Sequence, residues 1–140
     1  MTAESSRAVG VVVVNHNGGD LTLRCLRSLL ASEWPSDRLW VVLVDNASSD
    51  GVVAKVRADL GAVTVVETGS NVGFGAGCNA GIRVLPDVDY VALVNNDATV
   101  EPGWLVPLVA ALQSAPDIGA ALPKILFAGA FVDVTAEGSR

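Results

Sequence analysis

The sequence predicts an α/β domain with a mostly parallel sheet and helices on both faces. Three observations lead there. Short apolar runs alternate with segments of helical period, the pattern of strand–helix–strand units. The runs are nearly continuous rather than alternating, as strands buried on both faces are. Polar clusters follow directly on three of the runs, at Asn15-His16-Asn17, Asp45 to Gly51 and Asn95-Asn96-Asp97. That places them on one edge of such a sheet.

The elements follow in order. Val9 to Val14, interrupted only by Gly10, is the first strand. Asp20 is positioned to cap a helix to about Ser32, with Leu23, Leu26 and Leu30 at helical spacing. Trp34-Pro35-Ser36 breaks the chain before a second strand, Leu39 to Val44. A helix from near Asp50 carries Val53, Val56 and Leu60 on one face and stops at Gly61. Val63 to Val66 is a third strand, and the glycine-rich Gly69 to Gly81 leads into a helix ending before Pro86. Tyr90 to Val94 is the fourth strand. Pro102 opens a fourth helix, in which Pro107 either kinks the axis or marks the true first turn. Ile118 to Leu122 reads as a fifth strand. These limits give a flexible start at 1–8, a domain at 9–127 and an irregular tail at 128–140.

Composition narrows the function classes. The chain has 140 residues, 51% of them hydrophobic, enough for one domain with a substantial core. No apolar run approaches the roughly 20 residues of a membrane span. The polar start Met1 to Ser6 lacks a signal-peptide pattern, so a cytoplasmic setting is expected. A net charge of −6 without a basic patch argues against a nucleic-acid partner. It also means that an anionic ligand needs a positive charge from outside the chain. Cys25 and Cys78 stand in no paired motif, which disfavours a disulfide or a zinc site.

In open parallel sheets, ligands bind beyond the carboxyl ends of the strands, where strand order reverses. With an order of 3-2-1-4, that point lies between the first and fourth strands. A carboxylate at Asp97 can hold Mg²⁺ or Mn²⁺ and leave most coordination positions to phosphate and water, which also meets the shortage of cations. The competing reading is a polar turn closed by Asx bonds. Asp45 or Asn46 can accept the imide N–H of a pyrimidine base. Asp50 or Ser49 reads as a helix cap. His16, the sole histidine, can lie flat against a base or be an ordinary loop residue. Gly75 to Ala80 matches the dinucleotide pattern G-x-G-x-x-A, yet the third strand ends near Thr68, too early for that fingerprint.

Taken together, VVVVNHN at 11–17, VLVDNASSDG at 42–51, NVGFGAGCNAGI at 71–82 and LVNND at 93–97 resemble family 2 of the inverting glycosyltransferases, with PGWL at 102–105 and IGAALPKIL at 118–126 continuing the likeness. The NAS and NND variants look most like its rhamnosyltransferase-type members. The resemblance implies the N-terminal, donor-binding part of a Rossmann-like GT-A fold, taking a nucleoside diphosphate sugar (dTDP- or UDP-linked) and a divalent metal. By position it puts Asn15, His16 and Asn17, Asp45 and Asn46, Asn71, Gly73 and Asn79, and Asn95 and Asn96 at the nucleotide-sugar, and Asp97 on the metal. Asn46 stands where many members have an aspartate reading the base.

One departure is large. Family members carry their catalytic base well downstream of the metal motif, but only 43 residues follow Asp97. Asp133 and Glu137 match no family position. The resemblance therefore implies a donor half whose base and acceptor site are missing, and little transfer by this chain alone. In the complete enzyme the acceptor is expected to be a saccharide or lipid-linked hydroxyl, in cell-envelope polysaccharide synthesis, with the protein cytoplasmic or peripherally associated with the inner face of the membrane. An incomplete fold that exposes core surface would favour a homo-oligomer. Two rival readings are a non-catalytic nucleotide-binding module and an NAD(P)-dependent oxidoreductase domain.

Overall fold

A computed structural model describes residues 6–127. Its elements run β1 (Val9–Asn15), α1 (Gly19–Leu30), β2 (Leu39–Asp45), α2 (Val52–Asp59), β3 (Val63–Glu67), α3 (Phe74–Val84), β4 (Tyr90–Asn95) and α4 (Leu105–Gln113). All pairings are parallel and the order is β3-β2-β1-β4. Asn15 lies opposite Asp45, and Val14 opposite Asn95, so the three strands end in register. This is the order under which the reversal point lies between β1 and β4. No described helix is long and apolar enough to cross a membrane.

The two faces of the sheet are unequal. Val9, Val11, Val13, Val41 and Leu43 face the larger core, with Leu23, Cys25, Leu26 and Leu29 of α1, Val52 and Val56 of α2, and Leu105 and Val109 of α4. The other face, Val12, Val42 and Val44, is covered by α3 through Ala80, with Leu85 just beyond the helix. Glycines let α3 come that close. A methyl at Gly81 would lie 2.5 Å from Val12 Cγ1 and 2.9 Å from Val44 Cγ2, and one at Gly77 would lie 2.9 Å from Val14 Cγ1. On β1, Gly10 leaves the space that the Leu85 side chain fills.

Several expectations change. Both-face burial holds for β1 and β2 but not for β4, whose Val91 and Leu93 are exposed. Among the described helices α3 is the one on that face, and it packs on β1 and β2. No fifth strand forms at 118–122, and no strand follows β4 among the described residues. An apolar run becomes a strand only when it gains a backbone partner and a surface to cover, and 118–127 has neither there. Leu122, Ile125 and Phe127 are highly exposed.

Helix α1 begins one residue before Asp20, with Gly18 at the N-cap, and Asp20 instead faces Lys55 at 3.8 Å. The buried stripe of α1 runs through Leu29 rather than Leu30. Helix α2 starts after Gly51, though the Asp50 carboxylate still accepts the Val52 N–H at 3.1 Å. Helix α4 starts three residues after Pro102, which makes Pro107 part of its first turn, where no N–H is needed.

Candidate donor-binding site

The carboxyl ends of β1, β2 and β4 carry a connected polar network. Its centre is Asn15, fully buried. Asn15 Nδ2 donates to Asp45 Oδ1 at 2.9 Å and to Ser48 Oγ at 3.0 Å. Asn15 Oδ1 accepts from Thr22 Oγ1 at 2.7 Å, Asn96 Nδ2 at 2.9 Å and Gly18 N at 3.1 Å. Gly18 carries no Cβ because the Thr22, Asn96 and Asn15 polar atoms occupy that space. Asp45, also buried, receives Ser48 Oγ at 2.6 Å and Ser48 N at 2.9 Å. No buried side-chain N or O among the described residues lacks a partner. Desolvation of these groups is therefore offset by internal bonding.

Asn46 joins the glycine-rich loop to β2. Its Nδ2 donates to Gly73 O at 3.0 Å and its Oδ1 accepts from Thr68 Oγ1 at 3.0 Å. Gly73, at φ 85°, is the N-cap of α3, and its N–H donates to Asn71 Oδ1 at 3.1 Å. The His16 ring is exposed but oriented, with Nδ1 2.7 Å from Asn46 O. A carbonyl only accepts, so Nδ1 carries the proton. Asn17 has φ 52°, and its Oδ1 accepts the Ser49 N–H at 2.8 Å, which ties the first loop to the second.

The structure thus brings Asn15, His16, Asn17, Asp45, Asn46, Asn95, Asn96 and Asp97 to one sheet edge, with Asn71 and Gly73 attached through Asn46. Asn79 is exposed within α3 and makes no side-chain hydrogen bond to the described residues of this network. The polar atoms of Asn15, Asp45 and Asn46 are used internally. The His16 ring and the Asn95 and Asp97 side chains are open to solvent, and Asn96 is half-buried. Thr22, Ser48 and Thr68 were not singled out in the sequence. Thr22 had a legible signal: it sits next to Leu23 on the face that α1 buries. Asp133 and Glu137 lie outside the described residues.

Asp97 is exposed and has no hydrogen bond or ion pair to any described residue. No three His, Cys, Asp or Glu side chains cluster as a ready metal cage among the described residues. A single open carboxylate fits a hard cation that brings phosphate and water as its remaining ligands. The polar partners around Asn96 fit the same role, since they hold the loop without consuming Asp97.

Behind this loop lies Cys25, whose thiol is 3.4 Å from Asn95 O. Burial, with the Asp97 charge adding to it, pushes the Cys25 thiol up to about 12 from an ordinary 9.0. A group whose pKa is raised on folding contributes stability that is complete below its unfolded pKa, here 9.0, and lost as pH rises to the folded value, about 12. Urea midpoints measured across that window are expected to fall more steeply for the unsubstituted chain than for Cys25→Ser. Parallel curves would refute the assignment.

The glycine pattern 75–80 lies inside α3, which begins at Phe74. Gly77 serves helix–sheet packing, and Gly75 has open space around it. This is not the tight strand-to-helix turn that a dinucleotide fingerprint requires.

Comparison with known proteins agrees with this geometry. The sequence profile described as glycosyl transferase family 2 matches residues 10–128. An N-acetylglucosaminyl-diphospho-decaprenol L-rhamnosyltransferase of Mycobacterium tuberculosis is 32% identical over 126 residues, covering 82% of this chain and 40% of the relative. The chain therefore spans well under half of that protein. Among solved structures, mannosyltransferase PcManGT of Pyrobaculum calidifontis, in complex with GDP-Man and Mn²⁺, superposes with a TM-score of 0.72 at 28% identity, over 77% of this chain and 33% of that one. S. aureus TarS in complex with UDP gives 0.69 at 19% identity, over 84% and 38%, a likeness of fold.

Proposed function

Because the chain belongs to glycosyl transferase family 2, we propose that residues 9–127 form the donor-binding part of a glycosyltransferase that moves a sugar from a nucleoside diphosphate sugar to an acceptor hydroxyl with inversion. The observation that carries this reading is the open Asp97 carboxylate at the end of β4, beside β1, where the strand order reverses. On the same sheet edge stand an oriented histidine ring and a set of loop asparagines, groups that suit stacking on and hydrogen bonding to a nucleotide.

In this reading Asp97 holds a divalent cation, Mg²⁺ or Mn²⁺, which when bound neutralises charge on the leaving diphosphate. The Mn²⁺ and GDP-Man in the PcManGT structure support it. His16, fixed by Asn46 O, presents its ring to the base, and Asn96 lies between Asp97 and the buried network. Asn15, Asp45 and Asn46 act from behind by fixing these loops. The rhamnosyltransferase relative supports a deoxyhexose donor and a lipid-linked saccharide acceptor, hence work at the membrane face.

A thermal-shift screen tests the reading. UDP-, dTDP- and GDP-sugars are each added with and without Mn²⁺. A ligand that binds the native state raises the midpoint, by about 2.7 kcal/mol of stability at a hundredfold excess over Kd. Metal-dependent stabilisation by at least one pyrimidine nucleotide is expected. NAD(P) is screened in parallel, and stabilisation by it without metal would instead favour an oxidoreductase domain.

A further inference from the structure

The hydrogen bonds at the strand ends have a direction. The Asp45 carboxylate can only accept, and it draws Asn15 Nδ2 to 2.9 Å. Asn15 must then turn Oδ1 the other way, where it meets Asn96 Nδ2 at 2.9 Å. Asn96 in turn commits its amide nitrogen inward, to Asn15 and to Thr22 Oγ1 at 3.3 Å. Its carbonyl oxygen is left without a donor among the described residues, one residue from the open Asp97. The Asn15 amide is oriented from both ends, by the Asp45 carboxylate at Nδ2 and by the Gly18 N–H at Oδ1, and it in turn orients Asn96.

We propose that Asp45 is a positioning residue for the metal-motif loop. Through Asn15 it sets the amide orientation of Asn96, so that an acceptor oxygen rather than an N–H stands beside Asp97. The functional consequence rests on the donor-site reading above; the relay itself does not. A positive N–H edge next to a cation ligand would oppose the cation, whereas an oxygen does not.

The relay makes a polarity prediction that packing alone does not. Asp45→Asn removes the charge that orients Asn15. Asn96→Asp sets an acceptor against the Asn15 oxygen. Combined, they allow Asn15 to reverse, with the new amide at position 45 donating at one end and the new carboxylate at position 96 accepting at the other. The reversed relay gives up the Gly18 N–H bond, so recovery is partial.

The test is a double-mutant cycle on thermal midpoint in metal-free buffer, run on the full chain. Each single substitution is expected to lower the midpoint by about 5 °C or more. The double variant is expected to lose clearly less than the sum, because the two positions share one partner. Additive losses would overturn the relay. Should a single variant not fold, NMR of the unsubstituted chain decides. Both Asn15 side-chain amide protons and one of Asn96 should exchange slowly with solvent, and an Asn96 amide exchanging like an unbonded side chain would overturn the relay.

The second arm is calorimetric binding of UDP with Mn²⁺, which Asp45→Asn is expected to weaken about 10-fold or more. Unchanged binding would refute the positioning role. No binding by the unsubstituted chain, with the cycle still coupled, would sink the donor-site reading and the positioning role with it. Additive stability losses, with the unsubstituted chain still binding UDP and Mn²⁺, would sink the relay and leave the donor-site reading standing.

Discussion

Asp97→Ala is expected to abolish metal-dependent binding of UDP or dTDP, a loss of about 100-fold or more, while leaving the fold unchanged. This carboxylate is the one that stands at the carboxyl end of β4, beside the loop after β1, whereas Glu101 lies four residues further along the same loop, so removing it takes away the anionic anchor for the diphosphate and its metal at the strand end. Its exposure and lack of partners mean that nothing in the core depends on it, and the metal-free thermal midpoint should stay within error. Any weak metal-independent binding of the nucleoside, through the His16 ring, should survive. Asp97→Asn separates charge from shape and should fail nearly as badly. Calorimetric titration of UDP with Mn²⁺ into each variant decides, and undiminished binding by Asp97→Ala would remove Asp97 from the site.

Gly81→Ala carries the largest expected effect on stability. On an exposed helix the change would gain about 1 kcal/mol from helix propensity. Here the new methyl would lie 2.5 Å from Val12 Cγ1, and Val12 and Val44 are both fully buried. Both are β-branched and stiff at χ1, so neither can swing aside. Helix α3 must lift off β1 and β2, and overpacking of this kind costs about 1–3 kcal/mol or more. Gly75→Ala, on the same helix, meets nothing within 4 Å and should be neutral or slightly stabilising. Urea unfolding of the two variants should therefore diverge, and equal midpoints would show that α3 does not pack as described.

Why some of this was legible in the sequence and some was not follows from the range of the forces involved. The strands β1 to β4 could be read because Val9 to Val14 and Leu39 to Val44 carry no polar alternation, as central strands of a parallel sheet do, while their order was only assumed and is given by the structure. The convergence of Asn15, Asp45 and Asn96 followed from the same topology. Their division of labour did not. Whether an asparagine faces a ligand or a neighbour depends on partners far along the chain, such as Thr22 and Asn96 for Asn15. The run Ile118 to Leu122 misled for a related reason. Its composition suits a strand, but strand formation needs an edge to bond, which composition does not report. The exposure of Val91 and Leu93 was hidden likewise, since an apolar run looks the same whether one face or both are covered.

The strand order also sets a timetable for folding. β1 is made first yet sits in the middle of the sheet, pairing Val9 with Leu39 on one side and with Tyr90 on the other. Synthesis at about 5–20 residues per second gives β1 its first neighbour within several seconds, but leaves its other edge open for roughly 4–16 s. During that interval a run of valines presents unpaired backbone groups, the situation in which a nascent chain recruits the wrong strand. Non-local parallel pairing of this kind is slow once synthesis ends as well. Yield from refolding should therefore fall steeply with protein concentration, and chaperone capture should be strongest for nascent chains that stop short of β4.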